Sequence, residues 1–153
     1  MTDSMGIDYI KKCQQNRFPL LFIDRMLRVE PGVRAEAIKN FSYNEWYFPA
    51  HFDDEPIVPG FVLLESMTQT FLMTFLTLND YQGEKTSFLS ASNVQFRKKV
   101  APGDTLTITS SLNSFRHGVA RGQSIGQVEE LEVCSCELTI GIPSVLSRLQ
   151  PRA

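Results

Sequence analysis

Cysteine is scarce. The three thiols are an odd number, and two of them form Cys134-x-Cys136. That count excludes a disulfide framework, and a C-x-C pair with no third or fourth ligand nearby is a poor zinc pattern. No metal site is expected, and the thiols read as reduced in a cytoplasmic protein. An excess of charge of one sign is also missing. The formal net charge is −2, which argues against nonspecific nucleic-acid binding. Residues 1–17 carry Asp3, Asp8, Lys11 and Lys12 without an apolar stretch, so no secretory signal is expected there. The longest apolar run, residues 60–78, has the length of a membrane span. It is interrupted by Glu65, Ser66, Thr68, Gln69, Thr70 and Thr74 and lacks basic flanks, which predicts a helix buried inside a soluble protein and no membrane insertion. Internal repeats and low-complexity linkers are absent, and 153 residues suit a single domain over 1–153.

What is present is a regular succession of strand patterns around one helix. Residues 5–16 read as a short helix with Ser4 as a cap. Residues 20–29 are rich in strand formers, and "EPG" at 30–32 turns the chain into an alternating stretch over 33–41, which predicts a hairpin. Residues 42–58, with their aromatics and prolines, read as an ordered loop. The long helix starts near Pro59, a residue suited to a first helical position, and Asn79-Asp80 and Gly83 are its stop signals. Strands follow at 87–100, 105–116, 119–128 and 131–141, with turns at 102–104, 117–118 and 129–130, and the tail from Pro143 reads as irregular. On a strand, Cys134 and Cys136 share one face, toward the core. His117, beside Gly118 in a hairpin turn, reads as structural. Short connections favour an antiparallel sheet, and a helix apolar on nearly all sides must be covered on most of its surface. The expected class is α+β, with a curved sheet of about six strands wrapped around the helix.

The stretch between His51 and Glu65 carries the chemistry. A helix beginning at Pro59-Gly60 leaves the N–H groups near Gly60 and Phe61 without intrahelical partners, and Gly60 has no side chain to obstruct approach. This is a candidate oxyanion site at the positive end of a helix dipole. Glu65 lies one to two turns further on, on a face with Phe61, Thr68 and Leu72. Desolvation there raises a carboxyl pKa and keeps a proton available. A histidine such as His51 titrates near neutrality and suits a base. A base, an acid and an oxyanion donor are what proton abstraction beside a carbonyl requires. Singly, a glutamate near a helix start is ordinarily a dipole partner and a loop histidine ordinarily structural. Only their compact grouping points to a site.

The segment "HFDDEPIVPGFVLLESMTQ" resembles the active-site stretch of the β-hydroxyacyl-acyl-carrier-protein dehydratases, with His-Phe-x-x-x-Pro-x-x-Pro-Gly followed by a helix bearing Glu-x-Met-x-Gln. "RFPLLFIDRMLRVEPG" is similar to the family's first hairpin, "AIKNFSYNEWYF" to the segment before the histidine, and "VQFRKKVAPGD" to its basic strand and turn, so the likeness runs from about Arg17 to Ile140. The resemblance implies a hotdog fold and a homodimer, with a hexamer as a further level of assembly. It implies dehydration of a (3R)-3-hydroxyacyl-acyl-carrier-protein thioester in fatty-acid or related acyl-chain synthesis. His51 matches the catalytic histidine and Glu65 the catalytic acid, contributed to one site by opposite subunits. Gly60 matches the donor to the thioester carbonyl, with Phe61 beside it, and Gln69 a glutamine behind the acid. No cofactor is implied, since phosphopantetheine arrives with the substrate on acyl carrier protein.

The basic run Arg97, Lys98 and Lys99 has two readings: a solvated strand edge that discourages aggregation, or a docking patch for the acidic carrier protein. On an alternating strand Arg97 and Lys99 would share a face. Phe88 reads either as tunnel lining or as core. Four positions depart from the family pattern: Asp53-Asp54 replaces Pro-Gly, Ala50 replaces Gly, and Trp46 stands where proline is common. Carboxylates close to an imidazole favour its charged form. The acidic cluster keeps open a non-catalytic acyl-thioester-binding protein, and a hotdog thioesterase or isomerase is the alternative enzyme.

Overall fold

The structure is a computed structural model that describes residues 5–149. Among these, the helices are α1 (Ile7–Cys13), α2 (Tyr47–His51), α3 (Gly60–Leu76) and α4 (Pro143–Leu149), with a single 3-10 turn at Asn79–Tyr81. The strands are β1 (Arg25–Glu30), β2 (Arg34–Asn40), β3 (Ser87–Phe96), β4 (Thr105–Arg116), β5 (Val119–Val128) and β6 (Leu131–Gly141). All six form one antiparallel sheet in the order β1-β2-β4-β5-β6-β3, which leaves β1 and β3 at its edges.

The sheet curls around α3. Alternation along the strands turns Ala35, Ala37, Leu106, Ile108, Ala120, Cys134, Cys136, Leu138 and Ile140 inward, onto Met67, Phe71, Phe75 and Leu76 of the helix. Small residues set how closely the two approach. A Cβ on Gly122 would lie 2.1 Å from the Ser111 carbonyl oxygen and 2.5 Å from the Phe71 ring. The buried hydroxyls of α3 are satisfied locally, Ser66 Oγ donating to Val62 O at 2.7 Å and Thr70 Oγ1 to Ser66 O at 2.9 Å. Cys134 and Cys136 do share the core face, and burial pushes both thiols up to about 12, which makes them inert at neutral pH.

Strands β4, β5 and β6 have the bounds that the alternation and turn residues predict. His117 and Gly118, at φ 52° and 75°, form a left-handed two-residue turn, as do Glu129 and Glu130 at 49° and 66°.

Other expectations need correction. The first helix covers only Ile7–Cys13, and its N-cap is Gly6; Ser4 lies outside the described residues. The first strand begins at Arg25 rather than residue 20, because the main chain before it is held by a side chain. Phe22 N–H donates to Gln69 Oε1 at 2.9 Å, and Leu20 O accepts from Gln69 Nε2 at 2.6 Å. The loop at 42–58 contains α2, and Pro59 is the N-cap of α3 rather than its first residue. Strand β3 stops at Phe96, so Arg97 and Lys99 lie beyond it and the alternation argument does not apply to them. The tail from Pro143 is helical. It packs Val145 against the β4–β5 turn, where a Cβ on Gly118 would lie 2.7 Å from the Val145 Cβ.

Candidate active site

His51 is the last residue of α2. The segment leading to it is fastened by Lys39, a buried cation that meets Glu45 at 2.6 Å and Asp24 at 3.9 Å. Burial raises the Asp24 pKa, opposed by the main-chain N–H of Asn40 and the charge of Lys39. His51 Nδ1 lies 3.1 Å from the main-chain oxygen of Ile57. A carbonyl can only accept, so Nδ1 carries the hydrogen, and in the neutral imidazole Nε2 holds the lone pair. Asp53 and Asp54 are exposed, and neither bonds the imidazole among the described residues.

His51 and Gly60 line one cleft of about 300 Å3 together with Ile57, Leu63, Phe96 and the basic run. Val58 N–H is used by Val100 O, and Pro59 O accepts from Val62 N–H at 3.0 Å. The N–H groups of Gly60 and Phe61 have no main-chain acceptor among the described residues. Gly60 allows a close approach, since a Cβ there would meet the Phe96 ring at 3.0 Å and the ring would have to shift.

Glu65 sits in a second cavity of about 390 Å3 with Leu20, Phe22, Phe61, Leu64 and Phe88. Burial holds its carboxyl above the usual carboxylate range, and the hydrogen bond from Gln69 lowers it part of the way. Gln69 Nε2 donates to Glu65 Oε1 at 2.9 Å, and Asn16 Nδ2 donates to the same oxygen at 3.3 Å. Thus Gln69 stands directly behind the acid. Thr68 and Leu72, expected on the Glu65 face, are buried and do not line this cavity. Phe88 is 51% exposed in this chain and lines the Glu65 cavity rather than filling core.

One chain therefore brings His51 and Gly60 together but leaves Glu65 in a different cavity. Phe61, half exposed at the start of α3 and 6.4 Å from the Trp46 ring, lines the Glu65 cavity and also a further pocket that it shares with Trp46, His51 and Gly60. The basic run lines the His51 cleft. Arg97 Nε bonds Glu132 at 2.8 Å and Lys99 pairs with Glu55, while Lys98 has no ion pair among the described residues. Asn16 and Phe96 escape sequence reasoning. Neither has a local signal, because each reaches its neighbour across long sequence separation.

A long helix enclosed by a six-stranded antiparallel sheet, with a histidine near the helix start and a buried acid further along it, defines a hotdog protein. The dehydratase heterocomplex ApeI:P from Xenorhabdus doucetiae has this fold, with a TM-score of 0.75, 14% identity, and coverage of 92% of this chain and 95% of that one. So has the Pyrococcus horikoshii protein PH1136, with a TM-score of 0.64, 13% identity and coverage of 92% of each chain.

Sequence comparison identifies the family. The FabA-like domain matches residues 15–136, and the chain belongs to the FabA-like family. It is 40% identical to the 3-hydroxyacyl-[acyl-carrier-protein] dehydratase FabZ of Latilactobacillus sakei over 139 residues, covering 91% of this chain and 97% of that protein. It is 36% identical to the FabZ of Chloroflexus aggregans, covering 90% and 96%.

Proposed function

We propose that this chain dehydrates (3R)-3-hydroxyacyl-acyl-carrier-protein thioesters to trans-2-enoyl thioesters, in the synthesis of fatty acids or related acyl chains. The observation that carries the reading is that His51, with Nδ1 engaged by the main-chain oxygen of Ile57, lines one cleft with Gly60, which leaves Nε2 of the neutral imidazole as the available base. In this reading Nε2 takes the C2 proton. Charge develops on the thioester oxygen, and the N–H of Gly60, beside that of Phe61, stabilises it at the positive end of α3. The C2–C3 double bond forms as the C3–O bond breaks, and the Glu65 proton joins the departing hydroxyl to give water. His51 gains one proton and Glu65 loses one, so the charge of the pair is unchanged over the step.

The working unit is a homodimer. Edge strand β3 carries Phe88, Leu89 and Phe96, each about half exposed, an apolar edge that a second copy would cover. Placing the Glu65 of one chain beside the His51 of the other completes a site that the separate cavities of one chain do not. The hexamer is a further level of the same assembly. The cleft side bearing Arg97, Lys98 and Lys99 receives the acyl carrier protein. No resident cofactor enters this reading, because phosphopantetheine comes with the carrier. The setting is the cytoplasm. Among the described residues no helix is long and apolar enough to cross a membrane.

The test is hydration of a crotonyl thioester, followed by loss of enoyl absorbance. Turnover that His51→Ala abolishes supports the dehydratase. Release of free thiol instead identifies a thioesterase, and binding with neither change identifies a passive acyl-thioester-binding protein.

A further inference from the structure

We infer that Asn16 is a positioning residue for Glu65, acting with Gln69 to fix Oε1 as a hydrogen-bond acceptor so that the transferable proton is carried on Oε2. The inference rests on the reading of Glu65 as the acid of the dehydration.

The main chain locks the Gln69 amide. Phe22 N–H can only donate, so it selects Gln69 Oε1, at 2.9 Å; Leu20 O can only accept, so it selects Nε2, at 2.6 Å. The other hydrogen of Nε2 then points at Glu65 Oε1, at 2.9 Å. Asn16 Nδ2 adds a second donor to that oxygen at 3.3 Å. An oxygen that accepts from two N–H groups is the carbonyl-like oxygen of a protonated carboxyl, since a proton there would oppose both donors. Oε2 accepts no hydrogen bond among the described residues and belongs to a side chain that borders the cavity of Leu20, Phe22, Phe61, Leu64 and Phe88. The proton is thereby aimed at the space a substrate hydroxyl would enter.

Asn16 is itself held in place. The Arg17 guanidinium donates to the main-chain oxygens of Asn16 at 2.8 Å, Gln14 at 2.7 Å and Lys11 at 2.9 Å, tying the segment to the end of α1. Arg17 is the one charged residue in 14–23, β3 carries no titratable side chain, and Glu65 is the one titratable group of α3. The charge of Arg17 is engaged with three carbonyls, which leaves the amides of Asn16 and Gln69 as the groups of the same chain that bond Glu65 among the described residues; in the proposed dimer His51 of the partner subunit faces it as well.

The test uses the full chain with Asn16→Ala and with Asn16→Asp, which keeps the shape and removes the donor. Side-chain carboxyl 13C NMR follows the titration of Glu65, assigned by the signal lost in Glu65→Gln. Losing a donor to the charged form raises the Glu65 titration midpoint in both variants, and more in Asn16→Asp, where a second carboxyl is added. The kcat for crotonyl thioester hydration falls about tenfold, with KM nearly unchanged. If Asn16→Ala does not fold, the isosteric Asn16→Asp gives the answer. An unchanged midpoint in a folded variant overturns the inference, including the case in which stability, kcat and KM all decline together. A raised midpoint in a chain without dehydratase turnover upholds the control of Glu65 by Asn16 and rejects the enzymatic reading instead.

Discussion

At the scale of the residue, the burial of Glu65 ties stability to pH. Burial raises its pKa in the folded chain, so the folded state binds this proton more tightly than the unfolded state. The contribution to stability is fully present below the unfolded carboxylate pKa and is lost as pH rises through the folded value. Glu65→Gln removes that loss and still offers an oxygen to Asn16 and Gln69. Its melting temperature should exceed that of the wild type at pH 8, and the gain should shrink toward pH 4. Crotonyl thioester hydration should meanwhile drop about a hundredfold or more. A lower melting temperature at pH 8 would mean that the ionised carboxylate is better satisfied than its surroundings suggest. Gly60 is the second sensitive residue. Gly60→Ala drives a Cβ into the Phe96 ring at 3.0 Å, in the wall of the His51 cleft. An expected loss of turnover of about tenfold or more, with little change in circular dichroism, would separate damage to the cleft from global unfolding.

At the scale of the element, the contact between sheet and helix depends on a glycine in β5. Gly122→Ala places a Cβ 2.1 Å from a main-chain oxygen of β4 and 2.5 Å from Phe71, and backbone cannot give way as a flexible side chain can. Denaturant unfolding should show a loss of about 3 kcal/mol or failure to fold; a near-neutral result would mean that α3 can lift from the sheet without cost. The segment after β3 gives a functional prediction. Arg97 and Lys99 have acidic partners while Lys98 has none among the described residues, so Lys98 is the cation most available to an acidic carrier. Lys98→Glu should lower kcat/KM on carrier-bound substrate about fivefold at low salt, with the difference fading as salt rises. Activity on a small N-acetylcysteamine thioester should change little. Equal losses on both substrates would place the defect in the cleft instead.

At the scale of the whole molecule, the separation of the His51 cleft from the Glu65 cavity makes the dimer testable by complementation. His51→Ala and Glu65→Gln homodimers should each be nearly inactive. In a mixed dimer with two-fold exchange of contacts, one site receives both defects and the other receives neither. Random pairing makes about half the dimers mixed, each with one working site, so activity should recover to about a quarter of wild type after co-refolding. Mixed dimers verified by mass spectrometry but without recovery would put His51 and Glu65 in a single-chain site or remove Glu65 from the chemistry.

Alternation and turn residues were enough to fix the later strands, because β4, β5 and β6 meet through short hairpins whose register depends on near neighbours in the chain. The start of α3 and the unpaired N–H groups beside Gly60 were legible for the same reason: Pro59-Gly60 acts on its own backbone. The motif from His51 to Gln69 was likewise readable, since its residue types and spacing lie within one continuous segment. Contacts between distant segments were decided only in three dimensions. Residues 20–23 have strand composition, yet Gln69, 47 positions away, takes the hydrogen bond of Phe22 that a neighbouring strand would have taken. Strand β3 ends at Phe96, and Arg97 and Lys99 meet Glu132 and Glu55 across long sequence separations that no local pattern encodes. Asn16 reaches Glu65 across 49 positions, and no local propensity encodes that approach. The sequence by itself determined which candidate groups lie within one continuous segment and which backbone turns present them. Tertiary packing decided which oxygen of Glu65 is held, how far its proton affinity is raised, and that His51 and Glu65 of one chain line different cavities, because desolvation and hydrogen-bond satisfaction depend on neighbours the chain supplies only once folded.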